Sequence, residues 1–220
     1  MKIQKNSIYF LFIFYLLFSS CTQNTPKLES TRKAVIFEYE TFESLPDVRF
    51  SFFIESDKNI RRVEKIILTN IQTGYVWQLD DLVLYESVDR YYCGNTNIQS
   101  AYGEKIPNGF YSANYIQYDG QEKKISVSLN YDENLYSKNA NEVLQLYKDS
   151  ISSTKIAIYD KSGVLIHYGE KDSKFDTVRD VWNEYNDAQY FYEVIFLKKN
   201  DVILILPRQN VELEKSINDD

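Results

Sequence analysis

The sequence predicts a mainly β protein, a β-sandwich followed by a smaller α+β unit. Three observations carry this. From Ala34 onward, short apolar runs alternate with polar residues at a period of two and are separated by turn residues. An Asp119-Gly120 turn sits between two such runs. After Tyr131 the spacing changes, with Val143, Leu144, Tyr147 and Ile151 recurring at helical intervals.

Residues 1–20 precede that fold and read as an export signal. Lys2 and Lys5 and no acid occupy the first seven positions, and Ile8 to Phe18 are all apolar or aromatic before Ser19, Ser20 and Cys21. As a helix this run is about 16 Å long, whereas a membrane span takes roughly 20 residues. The Phe18-Ser19-Ser20-Cys21 stretch resembles the lipobox of bacterial lipoproteins, with Phe18 where Leu is usual and Leu17 one place further back. That resemblance implies cleavage before Cys21, a diacylglycerol on its sulfur, and a protein held at a membrane by the lipid. Thr22 replaces the acid that marks inner-membrane retention in such families, which points to the outer membrane. Residues 21–33 are polar with one proline, Pro26, and are expected to form a tether.

The elements of the sandwich, residues 34–131, follow in order. Val48, Phe50, Phe52 and Ile54 alternate with Arg49, Ser51, Phe53 and Glu55, a half-buried strand. Val63 to Thr69 and Tyr75 to Leu79 form a hairpin across Asn70 to Gly74, and Leu82 to Glu86 form a further short strand. Residues 87–106 are polar and irregular, and are expected to cross between sheets. Phe110 to Tyr118 and Lys123 to Tyr131 form the next hairpin. A two-residue turn there sets Ile125, Val127 and Leu129 opposite Asn114, Ser112 and Phe110, wasting the apolar face. A three-residue loop, Gln117 closing on Gln121 with Gly120 left-handed, sets them opposite Ala113, Tyr111 and Gly109 and is preferred.

Ile106-Pro107-Asn108-Gly109-Phe110-Tyr111 resembles the corner before strand F of fibronectin type III and immunoglobulin-like domains. The resemblance implies an immunoglobulin-like sandwich over 34–131, with Tyr111 as the corner tyrosine whose hydroxyl bonds back to the chain. The usual disulfide is absent, and Trp77 falls one strand later than the core tryptophan. The fold itself names no chemistry.

The α+β unit, residues 135–208, holds two short helices and two hairpins. Asn139 with Glu142 has the form of a capping box, so residues 140–151 are expected as a helix. Ile156 to Tyr159 and Val164 to Tyr168 pair across Asp160 to Gly163. Asp176 is the expected cap of a second helix bearing Val178, Val181, Trp182 and Tyr185 on one face. Tyr190 to Leu197 and Val202 to Leu206 form the last hairpin, apolar on both faces and so expected to be covered on both. Residues 209–220, acidic from Glu212, are expected as a disordered tail.

Composition narrows the function. Removing residues 1–20 takes away two lysines and no acid, so the formal charge falls from -7 to -9, a poor match to nucleic acid. With Cys21 acylated, Cys93 has no partner, and neither a disulfide framework nor a cysteine zinc site is available. The sole histidine, His167, has no Gly-x-Ser-x-Gly elbow to serve and cannot build a histidine metal site alone. No metal-binding loop or phosphate-cradling glycine loop occurs, so no cofactor is expected. The tightest carboxylate pairs, Asp80-Asp81 and Asp132-Glu133, sit where strands end and turns begin. Nineteen Tyr and thirteen Phe can pack strands or present aromatic planes to a sugar or peptide.

The expectation is therefore a non-catalytic binding or assembly lipoprotein with a protein or carbohydrate partner and no assigned catalytic residue. The alternative is an envelope enzyme, such as a carbohydrate hydrolase using paired carboxylates. A carrier for an apolar ligand is a third reading and requires a cavity inside the sandwich.

Overall fold

The computed structural model describes residues 27–57, 60–198 and 201–211. The expected signal peptide, Cys21 and the acidic end from Glu212 lie outside the described residues.

The period-two runs become two facing sheets. Phe50, Phe52 and Ile54 of β2 (Asp47–Ser56) turn inward beside Val35 and Phe37 of β1 (Leu28–Glu38), the pairs Val35–Phe50 and Phe37–Val48 lying opposite each other. β3 (Val63–Asn70) and β4 (Val76–Leu79) close on the Asn70–Gly74 loop, where Gly74 takes φ 72°. β5 (Val83–Ser87) pairs with β6 (Arg90–Ile98), and β7 (Gly109–Gln117) with β8 (Glu122–Leu129). One sheet contains β1-β2-β6-β5 and the other is β4-β3-β7-β8. These positions follow the A-B-E-D and C-F-G order of immunoglobulin-like sandwiches, with β4 beside strand C.

The β7–β8 hairpin has the register that keeps its apolar face inward. The Gln117 amide donates to the Gln121 carbonyl at 2.9 Å, Gly120 has φ 78°, and Ile125, Val127 and Leu129 lie opposite Ala113, Tyr111 and Gly109. Ala113, Tyr111 and Val127 are buried between the sheets.

Two segments expected to be irregular are strands. Residues 90–98 form β6 rather than part of a surface crossing. Its tightest packing point carries Cys93 and Gly94, and a Cβ on Gly94 would lie 1.9 Å from the Phe52 carbonyl oxygen. A thiol and a glycine leave no apolar alternation to read. Residues 28–33, expected in the tether, are strand as well, because β1 starts at Leu28. Its polar first half pairs with β2 through Thr31–Ile54 and Lys33–Phe52, and Lys33 Nζ meets Asp201 Oδ1 at 2.7 Å. Pairing, rather than side-chain burial, orders those residues.

The later strands continue the first sheet instead of making their own. β9 (Ile151–Asp160), β10 (Leu165–Glu170), β11 (Ala188–Leu197) and β12 (Val202–Ile205) join it where β12 runs parallel to β1, from Val35–Val202 to Glu38–Ile205. The order is β10-β9-β11-β12-β1-β2-β6-β5. β13 (Gln209–Asn210) pairs with β11, and Val211 is buried, so residues 209–211 belong to the fold and not to the expected tail.

The capping box at Asn139 and Glu142 starts α1 (Ala140–Leu146), which ends well before residue 151. A 3-10 turn at Lys148–Ser150 follows, because Ile151 already pairs with Leu197 in the sheet. α2 (Val178–Glu184) is capped by Thr177, not Asp176; the Thr177 hydroxyl accepts from the Asp180 amide while Asp180 reaches back to Thr177. Asp176 instead ends the 3-10 turn Ser173–Phe175.

Ala140 and Val143 of α1 join the main core between the sheets, with Ile195 and Leu204. Val181 of α2 packs with Ile156, Ile158, Phe175 and Phe191 in a second, smaller core. Phe191 and Ile195 share a face of β11, so both helices cover that face. The opposite face, with Tyr190, Tyr192, Val194 and Phe196, is half-buried and carries neither described helix, which corrects the expectation of cover on both sides.

Candidate functional site

The outer face of the large sheet is built by alternation. With Val35 and Phe37 inward, Ile36 and Glu38 point outward; opposite them in β2 stand Arg49 and Asp47. Glu38 and Asp47 therefore set two carboxylates side by side, and the Arg49 guanidinium pairs with Glu38. Like charges directly opposed are unfavourable, and the Arg49 cation on Glu38 offsets part of that cost.

Next to Glu38 the outer face is aromatic. Tyr159 and Tyr190 stack at 5.1 Å, Tyr192 meets Tyr159 edge-on at 6.0 Å, and the Arg208 guanidinium lies 4.1 Å above the Tyr190 ring. Burial raises the Tyr159 and Tyr192 hydroxyls above the ordinary tyrosine range, with further contributions from Tyr190 and the Glu38 carboxylate. At the far edge Tyr85 and Tyr92 stack at 4.5 Å.

Residues 99–105, the first part of the connection from β6 to β7, form the rim of a groove of about 890 Å3 over the Glu38–Asp47–Arg49 cluster. Asn97, Gln99, Ser100, Tyr102, Glu104, Lys105 and Tyr136 complete its walls. The loop is fixed at both ends. Trp77 Nε1 donates to the Gln99 carbonyl at 2.8 Å, and the Ala101 amide donates to Tyr75 Oη at 2.9 Å. On the other side, the Ile106 amide donates to Tyr136 Oη at 2.9 Å, and Tyr131 Oη donates to the Ile106 carbonyl. Tyr111 Oη donates to the Pro107 carbonyl four residues upstream. Asn108 completes the corner: its Nδ2 donates to the Tyr131 carbonyl at 3.1 Å, and its Oδ1 accepts from the Tyr131 amide at 3.0 Å.

Tyr102 is wholly exposed at the tip of this loop. Ser100 Oγ is buried without a hydrogen-bond partner among the described residues. With the loop fixed at both ends, binding has to order the Tyr102 ring but not the loop, which limits its entropic cost.

The residues singled out from sequence fall elsewhere or into structural work. Cys21 lies outside the described residues. Tyr111 stands at the base of the groove loop, buried against Phe50 and Trp77. Cys93 is fully buried, and burial pushes its thiol up to about 12, so it is not a nucleophile in the folded protein. His167 packs in the second core, its Nδ1 2.8 Å from Tyr185 Oη and its ring on Phe175. Asp80 accepts from Gln78 Nε2 at a strand end. Asp132 caps the 3-10 turn at Glu133–Ser137 and accepts from Tyr147 Oη, and Glu133 pairs with Lys105 at 3.2 Å. Glu38, Asp47 and Arg49 meet across the β1–β2 hairpin and Tyr102 comes from far along the chain; of these, the sequence shows Arg49 only as the polar side of a strand and Tyr102 only as part of a polar run.

Among the described residues no cluster of three metal-ligating side chains occurs, and no helix is long and apolar enough to cross a membrane. Comparison with known proteins finds no matching family model, no matching curated protein and no matching solved structure.

Proposed function

We propose that the chain is a lipid-anchored lipoprotein of the bacterial cell envelope whose sandwich is a non-catalytic binding or assembly module. The lipobox-like Phe18-Ser19-Ser20-Cys21 supports the anchor, and Thr22 supports the outer membrane. The observation that carries the binding half is the groove of about 890 Å3, with its rim fixed at both ends and Tyr102 at its tip. Sites that bind without reacting need shape, an aromatic contact and convergent polar groups, and the groove has all three.

Chemical cross-linking in native membranes tests this. The wild-type protein is expected to capture a specific envelope component that Tyr102→Ala loses and Tyr118→Ala keeps. Tyr118 sits at the opposite end of β7 from the groove, about 30 Å away at 3.3 Å per residue. Equal capture by all three proteins contradicts the assignment of the groove.

A second reading is favoured by one observation: Glu38 and Asp47 are cross-strand neighbours in the groove, and glycoside hydrolysis uses a pair of carboxyl groups. Turnover of an oligosaccharide by the wild type, abolished in Asp47→Asn, supports hydrolysis; unchanged substrate after prolonged incubation supports binding alone.

A further inference from the structure

We propose that the groove between loop 99–105 and the β1–β2 end binds a neutral polyhydroxylated chain, a glycan, with Tyr102 as its stacking platform. The inference rests on the binding reading above and assigns the ligand class.

Four observations select that class. First, the cations in the groove are already engaged. Arg49 is paired with Glu38, and Lys105 with Glu133 while lying 5.6 Å over the Tyr136 ring. Three carboxylates, Glu38, Asp47 and Glu104, face the same space. An anionic ligand therefore meets net repulsion.

Second, β1, β2 and β6 all lie inside the nine-stranded sheet, β1 between β12 and β2, β2 between β1 and β6, and β6 between β2 and β5. At Glu38, β1 is paired on both sides, with Asp47 and with Ile205, and offers an extended peptide no edge, whereas β2 pairs with β6 only from Phe50 onward. Third, the walls carry both acceptors and donors: carboxylates and the Asn97 and Gln99 amides. Hydroxyl groups both donate and accept and match such a lining, whereas an apolar ligand leaves it unsatisfied. Fourth, Tyr102 offers a wholly exposed ring, and Tyr136 a second ring in the wall. The C–H face of a sugar packs on such a plane while its hydroxyls reach the polar groups.

The test uses the full lipid-bearing protein in detergent micelles, titrated by calorimetry with cello-, malto- and chito-oligosaccharides. At least one series is expected to bind saturably. Tyr102→Ala should weaken that binding by about tenfold or more, as truncation of an aromatic anchor does. Asn97→Ala should weaken it, and Tyr118→Ala should leave it unchanged, all at unaltered thermal midpoints. Absence of binding by every series, or binding by Tyr102→Ala equal to wild type, overturns the assignment. Should cross-linking still show a Tyr102-dependent partner while no glycan binds, the ligand class falls and the binding-module reading stands.

Discussion

Several single residues in this chain are placed against their own preferences, and each gives a measurable consequence. Val88 and Asp89 form the two-residue turn between β5 and β6, with φ values of 41° and 61°. That primed turn needs two left-handed residues, which Asn and Gly accept and a β-branched side chain resists. Val88 is 91% exposed and gains nothing from packing. Val88→Asn should therefore raise stability by about 1 kcal/mol in urea denaturation; a loss of stability would show that the side chain has a contact that outweighs the strain. Gly94 is the opposite case. Its missing Cβ admits the Phe52 carbonyl, so Gly94→Ala should cost about 2–3 kcal/mol as β6 is pushed from β2. A midpoint within experimental scatter of wild type would contradict the close approach. Neither residue was interpretable from sequence, because what distinguishes them is a neighbour's backbone or a turn register.

Elements were legible where local chemistry alone decides them. The β7–β8 register follows from which face would otherwise be wasted, and Asn139 with Glu142 marks the start of α1 three residues apart. Asn139→Ala should cost about 1 kcal/mol, the ordinary value of a lost N-cap, read as a lower thermal midpoint. Unchanged stability would mean that tertiary packing through Val143, rather than the cap, holds the helix. Elements were illegible where the sheet decides them. α1 stops at Leu146 because Ile151 is claimed by β11, a partner more than forty residues away in sequence. Residues 28–33 look like a tether because their order comes from β2 and Asp201. The candidate groove has the same origin: Tyr102 is an undistinguished loop tyrosine until Trp77, Tyr75 and Tyr136 fix the ends of its loop.

At the scale of the whole molecule, the described tyrosines fall on the surface and in the core. Those on the outer face present aromatic planes, and those inside, Tyr39, Tyr111, Tyr115 and Tyr131, pack the core with hydroxyls raised by burial. Tyr111 and Tyr147 are pushed up to about 12, as is the Cys93 thiol. Each group is protonated when folded over a range where the unfolded chain has lost the proton. The unfolded state then binds fewer protons, and stability falls as pH rises. Stability from these groups should be complete below the unfolded thiol value of about 8.5, decline first through Cys93 and from about pH 10 through the tyrosines, and be lost as pH passes about 12. Urea midpoints measured at intervals across that window check it, and a flat profile contradicts the burial.

Among the described residues the one parallel pairing, β12 with β1, joins the last long strands to the second half of the first, and the chain enters β1 at Leu28. The function proposed above requires a lipidated Cys21 ahead of that strand. The most direct test is the intact mass of the protein extracted from its native membrane. The account predicts a chain beginning at Cys21 and carrying diacylglycerol, with the lipid mass on the N-terminal peptide. A chain that retains residues 1–20, or one that begins at or beyond Cys21 without lipid, contradicts it.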